Sequence, residues 1–270
     1  MSKCIIVSAS SDIGLALGHD WLAKGHELIG TYRRNSPAVD NLRHSGAKMF
    51  HCDLANSTSI ERTCSEMTKP SEGWNTLVLA AGTLDPIGLF EDCDFTDWAL
   101  SISINFTAQL KLLHALLPLR KSSSKIMPSV ILFAGGGTNC ATERYSAYTI
   151  SKIASIKICE LLDAEIPDTK FTIIGPGWVN TKIHSSTLIA GDNAGDAYDK
   201  TVAMLGGDDC VTFQKVIECV EWIISSSRDV VGGRNISLAH DKWSNARLDK
   251  ALLEDADMYK LRRSGNDKLK

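Results

Sequence analysis

The chain has 270 residues, of which 44% are hydrophobic and 23% charged, and a formal net charge of -3. That length allows one large or two small globular domains, and the slight acidity offers no basic face to a phosphate backbone, so nucleic acid is not an expected partner. No apolar run approaches the roughly 18 residues of a spanning helix, and the opening Met1-Ser2-Lys3-Cys4-Ile5-Ile6-Val7 is too short and strand-like for a signal peptide; a cytoplasmic protein without a membrane partner is expected.

Short β-branched runs at 5–7, 28–31, 77–79, 130–133 and 171–174 alternate with helix-length segments whose apolar residues recur at three and four spacing. Strands apolar on both faces need helices on both sides. The pattern therefore predicts an α/β, doubly wound parallel sheet whose ligands bind at the carboxyl ends of its strands. No linker divides the chain, so a single domain over 1–243 and a charged tail over 244–270 are expected. The eight cysteines show no zinc spacing, predict no metal site, and read as reduced core residues.

In chain order, the first strand runs into Ser8-Ala9-Ser10-Ser11-Asp12-Ile13-Gly14, small and capping residues before an apolar helix. Unpaired N–H groups at such a helix start suit a phosphate, and plain capping by Ser11 or Asp12 fits the same residues. The second strand ends at Arg33 and Arg34, with no acid where a dinucleotide domain contacts the adenosine ribose. Two guanidiniums there favour NADP(H) over NAD(H), and two solvated surface arginines are the alternative.

Further along, Cys52-Asp53-Leu54 puts a carboxylate either beside an adenine or at a helix cap with Asn56 or Ser57. Ala80-Ala81-Gly82 lacks bulk, as a backbone pressed on a ribose or a tightly packed loop requires. Asn105 lies inside the long apolar helix 95–119, where a polar amide needs a partner.

Tyr148 and Lys152 then fall four residues apart in the helix 145–166. That spacing stacks a phenol beside an ammonium, which favours the phenolate and lets the tyrosine exchange a proton near neutral pH, although an exposed helix face has the same spacing. After the sixth strand, 182–207 is rich in Ser, Thr, Gly and Asp and reads as a lid over a ligand. In the tail, Leu248, Leu252, Met258, Tyr259 and Leu261 suit a docked short helix, with 264–270 fraying.

Together the small-residue turn, Asp53, Ala80-Ala81-Gly82, Asn105, the Tyr148/Lys152 pair and Pro176-Gly177 resemble the short-chain dehydrogenase/reductase family in order and spacing, over about residues 3–243. The resemblance implies a Rossmann-like fold, a nicotinamide dinucleotide and a homodimer or homotetramer built on the two long helices. It implies that Tyr148 delivers a proton to a carbonyl oxygen, that Lys152 holds the nicotinamide ribose, and that Asn105 positions a water behind Lys152. Pro176, Gly177, Val179 and Thr181 would contact the nicotinamide end, and the segment 232–238 would form the last strand. The run from Asp257 to Arg263 resembles members of bacterial surface-polysaccharide or nucleotide-sugar pathways.

The sequence departs from the family pattern at three places. Ser8 and Asp12 replace the first two glycines of the turn, the amides before Ala81-Gly82 are missing, and the catalytic serine is replaced by Ala134 or Gly135. Gly136, Thr138, Asn139 or backbone N–H groups of that loop are the candidates to hold a substrate oxygen instead. The expected activity is NADP(H)-dependent interconversion of a carbonyl and a secondary alcohol on a small polar, sugar-like molecule. The alternative is a catalytically impaired dinucleotide-binding protein that serves as a redox sensor or scaffold subunit.

Overall fold

The computed structural model describes residues 2–69, 73–121, 127–207 and 209–265. Seven parallel strands form one sheet: Lys3–Val7 (β1), Glu27–Tyr32 (β2), Lys48–His51 (β3), Thr76–Leu79 (β4), Ser129–Phe133 (β5), Lys170–Gly175 (β6) and Asn235–Ser237 (β7). They lie in the order β3-β2-β1-β4-β5-β6-β7, so the chain reverses direction of build between β1 and β4. At that reversal neighbouring crossovers leave opposite faces of the sheet and a crevice opens above the strand ends. The register sets Val7 beside Leu79 and Leu79 beside Leu132, which brings the loops after β1, β4 and β5 to one rim.

Alternation along each strand feeds two cores. Cys4 and Ile6 point to one face, packing with Leu17 and Trp21 of Asp12–Ala23 (α1), Val216, Val220 and Ile223 of Phe213–Ser225 (α9), and Val231 of Arg228–Val231 (α10). Ile5 and Val7 point to the other, against Ile60 of Ser57–Met67 (α3), Leu112 and Leu116 of Ala108–Leu116 (α5), and Ile156 of Ser146–Glu165 (α6). Pro37–His44 (α2) closes the sheet edge through Val39 and Leu42. The five expected strands and the last one are all present, and the sheet is doubly wound as its apolar runs required.

Two expectations about segments need correction. The stretch Phe95–Leu119 is, by length and mean hydropathy of 1.2, apolar enough to cross a membrane, although no such run was anticipated. Asp97, Gln109, Lys111 and His114 break up the sequence run, yet the helix folds on the sheet with Leu112, Leu113 and Leu116 buried. Residues 182–207 are largely helical, as Ser185–Ala190 (α7) and Asp196–Leu205 (α8) joined by 3₁₀ turns.

The tail packs on the domain through a short helix. Leu248 and Leu252 of Ala246–Glu254 (α11) enter the first core. Buried Arg234 donates to the carbonyls of Leu252 and Asp255 at 2.6 and 3.1 Å, closing the end of α11. Residues 266–270, where fraying was expected, lie outside the described residues.

Candidate active site

A groove of about 640 Å³ runs along the crevice. Its walls include Ser8, Ser10, Ser11, Asp12 and Ile13 from the first turn, Arg33 and Arg34 after β2, Leu54, and Ala80, Ala81 and Gly82 after β4. Ala134, Tyr148, Lys152, Pro176, Gly177, Val179 and Thr181 complete it. Residues spread over 174 positions thus meet because they follow the carboxyl end of a strand or lie in the first two turns of the next helix. Gly14, Asp53, Asn105, Gly135, Gly136 and Thr138 do not line it.

The first turn is locked by short contacts. Ser8 N–H donates to Thr31 Oγ1 at 2.7 Å, Ser11 N–H to the Ser8 carbonyl at 2.9 Å, and Ser11 Oγ caps α1 by accepting from Gly14 N–H at 3.1 Å. Capping is therefore by Ser11 and not by Asp12. Ser8 holds φ of 64°, the left-handed region where glycine costs least. At Gly14 a Cβ would stand 2.5 Å from the Ser8 carbonyl oxygen, so this glycine lets α1 pack on the turn.

Arg33 and Arg34 are exposed on the groove and pair with no acid among the described residues, whereas nearby Arg43 is engaged by Asp40 at 2.6 Å and by the Tyr32 ring. Asp53 accepts from Ala55 N–H at 3.0 Å, and the cap of α3 is Asn56.

At the other end α6 presents Tyr148 and Lys152 on its sheet-facing side. Lys152 Nζ lies 5.7 Å from the Tyr148 ring centroid and donates to the Phe133 carbonyl at 3.0 Å. The electrostatics differ from the expected phenolate. Burial pushes the Tyr148 phenol up to about 12 and pulls the Lys152 ammonium down to about 8. Desolvation outweighs the mutual attraction because the ammonium sits over the ring and not on its oxygen. At neutral pH Tyr148 is a phenol holding its proton, and Lys152 is mostly cationic.

The Asn105 side chain ties two segments of the site together. Phe95–Ile102 (α4) passes into a π-helical segment, Ser103–Thr107, before α5. From there Asn105 Oδ1 accepts from Thr83 N–H at 2.8 Å, and Nδ2 donates to the Thr83 carbonyl at 2.9 Å and to Ser101 Oγ at 3.3 Å. Both amide donors are used, so the side chain fastens the loop after β4 to the helix.

Gln109, which the sequence did not flag, donates to the carbonyls of Asn105, Ile104 and Ala81 at 2.9, 3.1 and 3.3 Å. Two of these carbonyls belong to the π segment and the third to the loop after β4, so Gln109 joins the helix to that loop. Beside it a cavity of about 10 Å³, lined by Asn105, Gln109, Lys152 and Ser155, is at the limit of space for one water. A glutamine four residues beyond an asparagine in a helix was the available signal.

The missing serine also has a structural counterpart. A Cβ placed on Gly135 would lie 2.5 Å from Tyr148 Oη and 2.7 Å from ring carbons, so the phenol occupies the space that a side chain there would need. Ala134 lines the groove beside it.

A family model described as enoyl-(acyl carrier protein) reductase matches residues 7–239. The chain is 26% identical over 187 residues to an uncharacterized oxidoreductase of Schizosaccharomyces pombe, a match covering 68% of this chain and 74% of that one. It is 27% identical over 185 residues to the short-chain dehydrogenase/reductase olcF of Penicillium canescens, covering 67% and 70%. Among solved structures, an actinorhodin polyketide ketoreductase crystallised with NADPH superposes with a TM-score of 0.75 at 18% identity, covering 89% of this chain and 98% of the other. With one strand order, one groove and a model match spanning nearly the whole sheet, the chain belongs to the short-chain dehydrogenase/reductase family of oxidoreductases.

Proposed function

We propose that the protein is an NADP(H)-dependent reductase or dehydrogenase that interconverts a carbonyl and a secondary alcohol on a small polar, sugar-derived substrate. The observation that carries this reading is the placement of Tyr148 and Lys152 on the wall of a groove that begins at two exposed arginines and passes a helix start. The groove is long and lacks bulk at Ala80, Ala81 and Gly82, which suits a dinucleotide lying across the switch point. Arg33 and Arg34 would hold the 2′-phosphate, the turn at 8–13 the pyrophosphate, and Pro176 to Thr181 the nicotinamide end.

When bound, the cofactor supplies or accepts the hydride at the carbonyl carbon. The chain's own work is at the oxygen. Tyr148, protonated at neutral pH, gives its phenolic proton to the oxygen as negative charge develops there, and the Lys152 cation one turn away stabilises the phenolate left behind. Hydride on carbon and proton on oxygen complete the alcohol. Thr83, Asp85, Ser185 and Ser186 also line the groove, a hydroxylic and acidic surface that supports a polyhydroxylated substrate over an acyl chain.

The test is NADPH oxidation against a panel of ketones and keto-sugars, beside fluorescence titration of NADPH and NADH. Turnover with a polar ketone and preference for NADPH are expected, and Arg33→Asp should erase that preference. NADPH binding without turnover across the panel would favour the sensor reading, and an unchanged preference in Arg33→Asp would remove the assignment of the 2′-phosphate.

A further inference from the structure

Asp12 places a carboxylate at the point of the groove where the N–H groups opening α1 face outward, a place that an incoming phosphate would otherwise find positive. That charge is answered from 170 positions away. Lys182 N–H donates to Asp12 Oδ2 at 2.7 Å, Lys182 Nζ donates to the Ser10 carbonyl at 2.7 Å, and the same ammonium lies 3.5 Å from Asp12 Oδ1. The backbone contact fixes the carboxylate, and the carboxylate and carbonyl hold the ammonium over the turn. Because the Lys182 side chain is 65% exposed, these polar contacts position it, not packing. The Ser10 carbonyl takes one N–H of the ammonium and Asp12 Oδ1 faces it as an ion-pair partner, which leaves donor capacity for a ligand.

The pair also has a distinctive position. Asp12 and Lys182 line both the 640 Å³ groove and an adjoining cleft of about 530 Å³ whose other walls include Leu15, Leu188 and Phe213. With Thr181, His184 and Ser185 they line both spaces, and they fasten the first residue of the helical segment 182–207 to the phosphate turn.

We propose that Lys182 is the cation that receives the dinucleotide's pyrophosphate, and that Asp12 is the anchor holding its ammonium at the turn. This inference rests on the nucleotide-binding reading above. Asp12 occupies a glycine position of the family pattern, and an isolated carboxylate there would repel the ligand. Paired with Lys182 it presents a neutral unit with a spare N–H donor, and formation of the complex draws the lid entry and the cofactor together.

The experiment is a double-mutant cycle on NADPH affinity with wild type, Lys182→Ala, Asp12→Gly and the double variant, with Lys182→Arg as the conservative control and thermal melts to establish folding. A charge-assisted hydrogen bond predicts a weakening on the order of 10-fold or more in Lys182→Ala. The double variant should recover part of that loss, because no unpaired carboxylate remains, and Lys182→Arg should stay within about threefold of wild type. Wild-type affinity in Lys182→Ala, or strict additivity in the cycle, would overturn the inference while leaving the nucleotide reading intact. Wild-type protein that binds no NADPH would instead overturn the nucleotide reading, and the inference with it.

Discussion

Tyr148 and Gly135 share one small volume, and their closeness decides what a serine at 135, one of the two positions where the family serine is expected, would do. A serine at 135 cannot enter beside an unmoved phenol, so Gly135→Ser is expected to displace the ring and slow carbonyl reduction by at least about tenfold, since misplacing a reacting group by 1 Å costs up to about a hundredfold. Rates equal to or above wild type in steady-state NADPH oxidation would show that the ring has room to spare. Lys152 sets the pH dependence. With its ammonium near 8 and the Tyr148 phenol near 12, reduction should hold through pH 7 and fall as pH rises past about 8, while the proton donor itself persists.

The same burial makes Lys152 a cost to folding. Its folded-state affinity for a proton is below the unfolded value of 10.5, so above pH 8 the native state releases a proton that the unfolded chain retains, and stability should rise between about pH 8 and 10.5. Lys152→Met should raise stability at pH 7 by up to roughly 3 kcal/mol, at about 1.4 kcal/mol per unit of depression, and abolish turnover. Thermal melts at pH 7 check the first part and a decrease in Tm would contradict it. The Tyr148/Lys152 relation was legible from a four-residue spacing, but the direction of the tyrosine's shift was not, because desolvation depends on residues that the fold brings from elsewhere.

Among the elements, the π segment at Ser103–Thr107 links the long helix to the site. Ile104, Asn105 and Phe106 keep helical apolar spacing, so the sequence showed a continuous helix with one polar residue. The extra residue per turn becomes visible only when Gln109 is seen donating to three carbonyls and the Asn105 amide to Thr83. Gln109→Leu leaves those buried carbonyls without that partner and should cost about 1–3 kcal/mol. For a domain of this size that corresponds to a fall in Tm of roughly 2–4 °C per kcal/mol, and an unchanged melt would show that the carbonyls find other partners. The helices α7 and α8 are not visible in the sequence for a related reason: their Ser, Thr, Gly and Asp content resembles a loop, and the anchors at and before α7 are remote. Ser186 Oγ donates to Asp85 at 3.0 Å, Tyr145 Oη to Thr187 Oγ1 at 3.0 Å, and Lys182 reaches Asp12.

At the level of the whole molecule, the sheet was legible because its strands are apolar on both faces, a demand that only two covering layers meet. The tail was legible in its anchors Leu248 and Leu252, but its attachment through Arg234 depends on a guanidinium that composition alone would place on the surface. Leu252, fully buried, should cost about 2–5 kcal/mol as Leu252→Ala, measured by denaturant unfolding; a near-neutral change would mean that the tail is dispensable to the domain. The two long helices each expose large apolar side chains. Phe95 is 64% exposed and stacks on Trp98 with ring centroids 5.4 Å apart, and Ile150 and Leu161 are exposed on α6. A dimer or tetramer through this face is expected by light scattering at micromolar concentration, and Phe95→Glu should lower the mass; a wild-type monomer would contradict that assembly.

The most direct test of the proposed chemistry compares wild type with Tyr148→Phe in two assays on the same preparation: NADPH oxidation with a ketone that wild type reduces, and NADPH affinity by fluorescence. Loss of the phenolic proton predicts turnover reduced by about 10²–10⁴-fold with the dissociation constant within a factor of about two. Turnover that survives in Tyr148→Phe would contradict the assignment of that hydroxyl as the proton donor.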